Sequence, residues 1–141
     1  MKTLSRLLPI PILIVTLAAC EHDNPVETEP PNGDPSMFSE IQTTIFNTSC
    51  ALSGCHAGSS PQQNMDLSQG EAYAAIVNVP SQERPELMRV EPGNPDDSYL
   101  LMKIEGDPDI IGARMPLGRQ PLSASQISLV RNWIAAGAPE D

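Results

Sequence analysis

Positive charge is scarce in this chain: 8 Lys and Arg stand against 18 Asp and Glu, for a formal net charge of −10. Two of those cations, Lys2 and Arg6, lie at the extreme N-terminus, and without them the charge is −12. Neutralising a phosphate backbone requires a basic face, so nucleic acid is excluded as a partner class. Aromatic side chains are nearly as rare, with two Phe, two Tyr and one Trp. The protein therefore has little bulky material for a core, a deficit that a large apolar cofactor would make good. Also missing is any useful length of alternating apolar and polar residues, which excludes half-buried strands and leaves an all-α fold. No catalytic triad, phosphate-binding glycine loop or paired-carboxylate site stands out. Asp66, Asp107 and Asp109 read as caps and surface charges.

The apolar run Leu7 to Leu17 follows the short positive segment and ends at Leu17-Ala18-Ala19-Cys20. Charge, apolar run and small residues in that order make a secretory signal over residues 1–19. The run is short for a membrane-spanning helix and holds Pro9 and Pro11. Leu-Ala-Ala-Cys resembles the bacterial lipobox, in which cleavage leaves the cysteine, here Cys20, to carry a lipid. The alternative is an ordinary secreted protein with no use for Cys20. In both cases the mature chain is exported. Glu21 stands where an aspartate would resemble an inner-membrane retention signal, which leans toward a lipid anchor in the outer membrane. Residues 20–35 hold one valine among prolines and acids, cannot offset the entropy of ordering, and read as a disordered spacer. His22 is solvated there.

About a hundred residues remain, enough for one domain. A first helix is expected from near Pro35 to near Thr48, capped by Asp34, with Phe38, Ile41, Ile45 and Phe46 on one face. A second is expected from Glu71 to Asn78, with Ser68 and Glu71 at capping-box spacing. The third follows Asp96-Asp97 through Ile104 and stops at Gly106 and Pro108. The fourth opens on a Ser123–Gln126 capping box, carries Ile127, Val130, Trp133 and Ile134 at helical spacing, and ends at Gly137 and Pro139. Pro80 to Pro95, rich in proline and charge, reads as a surface loop.

The chemistry-bearing stretch is Cys50-Ala-Leu-Ser-Gly-Cys55-His56. Two thiols and an adjoining imidazole suit covalent haem attachment, the thiols adding across two vinyl groups and the imidazole binding iron. In a helix, cysteines five apart would diverge by about 140°, so the segment must leave the helix, and Ser53-Gly54 is the place for a bulge. A disulfide between Cys50 and Cys55 competes with haem, since lipidation of Cys20 leaves these two as a pair in an oxidising compartment. Zinc is short of ligands, because only the tail residue His22 could complete a set of four. Downstream, Arg114-Met115-Pro116 reads as an extended strap. It either carries the Met115 thioether to an iron or fills the core with it, as Met65, Met88 and Met102 do.

Taken in order, several stretches resemble the small class I-like cytochrome c domains of bacterial exported proteins. They are Phe38-x-x-Ile41, Cys50 to His56, Met65-Asp66-Leu67-Ser68 with Glu71-Ala72-Tyr73, and Val90-Glu91-Pro92-Gly93-Asn94-Pro95 with Ser98-Tyr99-Leu100. Arg114-Met115-Pro116 and Leu122-Ser123 through Trp133-Ile134 to Gly137-Ala138 complete the set. The likeness covers nearly all of residues 36–141. It implies a cytochrome c-like fold of about four helices round one haem c. The first and last helices would cross, so that Phe38, Ile41 and Ile45 meet Val130, Trp133 and Ile134. Cys50 and Cys55 would form the thioethers, His56 would be the proximal ligand and Met115 the distal one. The four residues between the cysteines look like a minority form of the motif. The free ring nitrogen of His56 should donate to a backbone carbonyl or a carboxylate, a carbonyl within Gly58 to Pro61 being one candidate. Arg89 or Arg114 could pair with a propionate.

An iron with two protein ligands has no open position and passes single electrons, so the reading is a monohaem carrier at the bacterial envelope, meeting redox partner proteins. A five-coordinate haem enzyme such as a peroxidase follows if Met115 does not bind. A haem-free binding module stapled by Cys50 and Cys55 follows if the thiols pair.

Overall fold

The computed structural model describes residues 36–140. The expected signal peptide, the expected lipid-bearing Cys20, the expected spacer with His22 and the expected Asp34 cap lie outside the described residues. The described chain is helical with four α-helices and no strands: α1 Met37–Ile41, α2 Ala72–Ile76, α3 Tyr99–Glu105 and α4 Ala124–Ala135. Short 3-10 turns occupy Gln62–Asn64 and Pro95–Asp97. Among the described residues no helix is long and apolar enough to cross a membrane.

The N-cap of α1 is Ser36, whose hydroxyl accepts from the Ser39 amide at 3.3 Å. Beyond Ile41 the helix widens into π turns over Gln42–Cys50, and the Ala51 amide reaches back to the Phe46 carbonyl at 2.7 Å. Three threonines accompany the widening. Thr43 bonds the Ser39 and Glu40 carbonyls, Thr44 bonds Glu40, and Thr48 bonds Thr44 and Ile45. Hydroxyls that enter the carbonyl ladder loosen it, and π turns concentrate at functional sites. Here the last π residue is Cys50 itself.

Two local expectations fail. The second helix is shorter than its apolar pattern, and Ser68 caps nothing with its side chain. Its carbonyl instead receives the Glu71 and Ala72 amides, because Gly70 turns the chain at φ 88°. The segment from Pro80 to Pro95 is no mere surface loop, since Ser81, Arg89 and Val90 are buried within it. Val90 exchanges backbone bonds with Ile76 and Asn78, and the Arg89 amide bonds the Val79 carbonyl, so the loop is laced to the end of α2.

α4 carries the expected capping box, with Ser123 and Gln126 each bonding the other's backbone. Its Trp133 is fully buried and donates from Nε1 to the Pro139 carbonyl at 2.9 Å. The Phe38 ring lies 5.3 Å from both the Trp133 and Tyr73 rings, so α1 and α4 meet through the few aromatics the chain has. Elsewhere the core is aliphatic, and Ile41, Ile45, Val130 and Ile134 share one cluster.

Candidate functional site

After Cys50 the backbone leaves the helix through Ala51 (ψ 56°) and turns at Gly54 (φ 80°), where no other residue type is unstrained. The Cys50 carbonyl accepts from both Leu52 and His56 amides, closing the cysteine-bearing loop on itself. The chain then wraps His56. The Gln62 amide donates to the Cys55 carbonyl at 2.7 Å and the Leu67 amide to the His56 carbonyl at 2.8 Å. His56 Nδ1 lies 3.2 Å from the Gln62 carbonyl, one residue beyond the stretch expected from sequence. A carbonyl only accepts, so Nδ1 carries the proton and Nε2 is the nitrogen left with a lone pair. Burial pushes the His56 imidazole below its usual pKa, against the bond to Gln62, and so favours the neutral ring a metal requires.

Cys50, Cys55, His56 and Met115 all line one cavity of about 360 Å³, a volume within the range of small-molecule sites. Its wall is largely apolar, drawn from Phe46, Leu67, Leu100, Ile104, Leu122 and Val130. Helix α4 thus divides its labour: Val130 faces the cavity, whereas Trp133 lies outside its lining and packs on α1. The two thiols are unbridged, Cys50 half-buried and Cys55 exposed. Burial, reinforced by Cys55 and opposed by Arg119, pushes the Cys50 thiol up to about 11. Among the described residues no three of His, Cys, Asp and Glu gather as a set for a bare metal ion. Cys50, Cys55 and His56 are therefore distributed round the cavity rather than focused on a point.

Met115 reaches the cavity on a strap whose amide donates to the Lys103 carbonyl at 2.9 Å, with a cis bond to Pro116. Met65 packs against the core as expected and also lines the cavity, a second thioether there. It belongs to the loop that wraps His56, whereas Met115 arrives from α3 and the strap.

Of the two arginines considered for a propionate, Arg114 lies outside the lining: its Nε donates to the Ile104 carbonyl and its stem packs over Gly106. Arg89 lines the cavity, is only 6 % exposed, and donates to the carbonyls of Gln63 at 2.6 Å, Ala75 at 2.7 Å and, more weakly, Asn64 at 3.4 Å. No carboxylate among the described residues pairs with it. A buried guanidinium held only by carbonyl dipoles is costly, and an anion in the cavity would offset that cost. Glu83, Tyr99 and Lys103 form a hydrogen-bonded cluster in the same wall, an association that sequence reasoning missed. Tyr99 and Lys103 lie one turn apart on α3, but Glu83 comes from a separate loop, and no motif links it to them.

Comparison of the chain with protein-family models, with curated proteins and with solved structures finds no match.

Proposed function

We propose that this domain is a monohaem c-type cytochrome with a cytochrome c-like fold, carrying single electrons at the bacterial cell envelope. The observation that supports it best is the convergence of Cys50, Cys55, His56 and Met115 on one apolar cavity, from two segments about sixty residues apart in sequence. The residues suit the group. Cys50 and Cys55 would each add a thiol across a vinyl group, forming a C–S bond while the thiol proton passes to the neighbouring vinyl carbon. His56 would offer Nε2, and Met115 its thioether, to the iron; Arg89 would face a propionate. When bound, haem supplies a centre that changes oxidation state by one electron, and a histidine–methionine pair holds its potential high. The largely apolar wall would limit water at that centre, and with His56 and Met115 both as ligands no position would be left for a substrate.

The same reading places the domain on a lipid at Cys20, held off a membrane by residues 21–35, with the outer membrane preferred from Glu21. Its redox partners meet an acidic protein whose exposed cations lacking a carboxylate partner, among the described residues, are Arg114 and Arg119. These bracket Met115, and Leu117 between them is 66 % exposed.

The test is the visible spectrum and denatured mass of the exported protein from a host with c-type maturation. Haem retained after denaturation, with sharp reduced bands, is the expected result. A colourless protein whose cysteines form a reducible disulfide would replace the haem reading with the stapled module. Carbon monoxide then distinguishes carrier from catalyst. It should bind Met115→Ala readily and wild type poorly, with Met65→Leu behaving as wild type. Ready binding by wild type would instead favour the five-coordinate enzyme.

A further inference from the structure

The strap that carries Met115 is pinned to α3 by a short chain of polar contacts that converges on one carboxylate. The Ile111 amide donates to the Tyr99 hydroxyl at 2.9 Å, and the Ile111 carbonyl accepts from Lys103 Nζ at 2.8 Å. Four residues on, the Met115 amide donates to the Lys103 backbone carbonyl. Both backbone groups of Ile111 are thus held by side chains of α3, and both of those side chains end on Glu83. Tyr99 donates its hydroxyl proton to Glu83 Oε2 at 2.8 Å, and Lys103 Nζ donates to the same oxygen at 2.9 Å. Tyr99 and Lys103 are buried, and the Glu83 side chain is 21 % exposed. Contacts of this kind, made by ionised groups away from water, are stronger than neutral surface bonds.

Glu83 lies outside the cysteine loop, outside α3 and outside the strap. It belongs to the loop between Pro80 and Pro95, which is itself anchored by buried Arg89 and Val90. Without its carboxylate the Lys103 ammonium would be left buried without a counter-charge. The Tyr99 hydroxyl would be free to turn its proton elsewhere. Both donor and acceptor offered to Ile111 would lose their fixed orientation.

We infer that Glu83 is a positioning residue for Met115: through Tyr99 and Lys103 it fixes the strap at Ile111 and so determines whether the thioether stays at the cavity. The inference rests on the haem reading above for its consequence at iron, but the pinning itself is a property of the polypeptide. With the strap pinned, a sixth ligand is kept in place and small molecules are kept out. With it released, the strap loses its hold at Ile111 and keeps the Arg84 bond to the Asp109 carbonyl, the Arg114 bond to Ile104 and the Met115 backbone bond, so the sixth position opens more readily.

The experiment uses the full chain with its haem and compares wild type, Glu83→Ala, Glu83→Gln and, as a control on the same loop, Glu86→Ala. Glu86 is exposed and pairs only with Arg84, whose own bond to the Asp109 carbonyl uses a different nitrogen and does not need Glu86. Amide hydrogen exchange reads the strap directly. In Glu83→Ala the Ile111 and Met115 amides should exchange about tenfold faster or more, the factor that losing one charge-assisted bond carries. Amides in the interior of α4 should be unchanged. Carbon monoxide affinity should rise and the reduction potential fall in the same variant, two changes that general loosening of the fold would not single out. Glu83→Gln keeps one acceptor and should fall between, while Glu86→Ala should match wild type. Unchanged exchange at Ile111 and Met115 in Glu83→Ala would overturn the inference. So would faster exchange spread evenly over the domain. If wild type itself binds carbon monoxide freely, the six-coordinate reading fails, and the exchange result still decides whether Glu83 pins the strap.

Discussion

Trp133→Phe tests whether the α1–α4 contact, rather than the cavity wall, is the mechanical base of the site. The indole is fully buried, its ring 5.3 Å from Phe38 and its Nε1 bonded to the Pro139 carbonyl. A phenyl ring keeps most of the packing but forfeits that hydrogen bond, worth about 1 kcal/mol. The space left by the smaller ring adds about 1 kcal/mol more at the usual cost of a cavity. The sum, about 2 kcal/mol, should lower Tm by roughly 10 °C for a domain of this size. Trp133→Ala removes the ring altogether and should cost about 5 kcal/mol, which is on the order of the whole stability of a small domain. Trp133 is the only tryptophan, so unfolding is followed by far-ultraviolet circular dichroism against urea rather than by fluorescence. Because Trp133 is not among the cavity-lining residues, the visible spectrum of folded Trp133→Phe should match wild type. A midpoint change equivalent to less than about 0.5 kcal/mol, the range of ordinary surface substitutions, would refute the assignment of the core to this crossing. A large spectral change with little loss of stability would refute the division between the two faces of α4.

Four further outcomes follow from the same geometry. With haem withheld, the Cys50 thiol, raised mainly by burial to about 11, keeps its proton longer than in the unfolded chain, where the value is 9.0. Stability should hold below pH 9 and fall between pH 9 and 11 by at most about 3 kcal/mol. The Cys50 share of that fall should be absent in Cys50→Ser and in protein carrying the proposed haem, where a thioether cannot titrate, leaving the smaller loss from Tyr99, which burial also raises; urea midpoints at the two pH values would show it. Gly54→Ala meets open space but a strained φ of 80°, and should cost about 1 kcal/mol. Gly106→Ala adds to a φ of 76° a Cβ only 2.7 Å from Arg114 Cδ, and should cost measurably more than Gly54→Ala in the same denaturant titration. Arg114→Gln combined with Arg119→Gln should slow oxidation by anionic ferricyanide and speed oxidation by a cationic cobalt complex. Both effects should fade as salt is added, as stopped-flow rates at several ionic strengths would show.

Local sequence pattern determined a good deal. The Ser123–Gln126 box with its apolar spacing located α4 and its inward residues, because caps and periodicity act within one or two turns. The step out of helix between Cys50 and Cys55 follows from cysteine spacing and the one residue, Gly54, that turns freely. The all-α class followed from the absence of alternation. What tertiary structure alone decided is of another kind. The π turns that bring Cys50 to the cavity are accompanied by threonine hydroxyls bonding back to helical carbonyls, a widening that no propensity scale foretells. The second helix is cut short where Val77 leaves the helix to pair with Val90, a partner thirteen residues on. Arg89 was read as one candidate between two, and only packing separates it, buried in the cavity wall, from Arg114 outside it. The contacts of Glu83 with Tyr99 and Lys103 are not legible in the sequence, because hydrogen bonds over distances of 16 and 20 residues leave no period or motif in the chain. Spacing along the chain can single out candidate groups, since few side chains carry thiol or imidazole chemistry. Where those groups are held, and how firmly, is set by contacts between segments, and those exist only once the chain has folded.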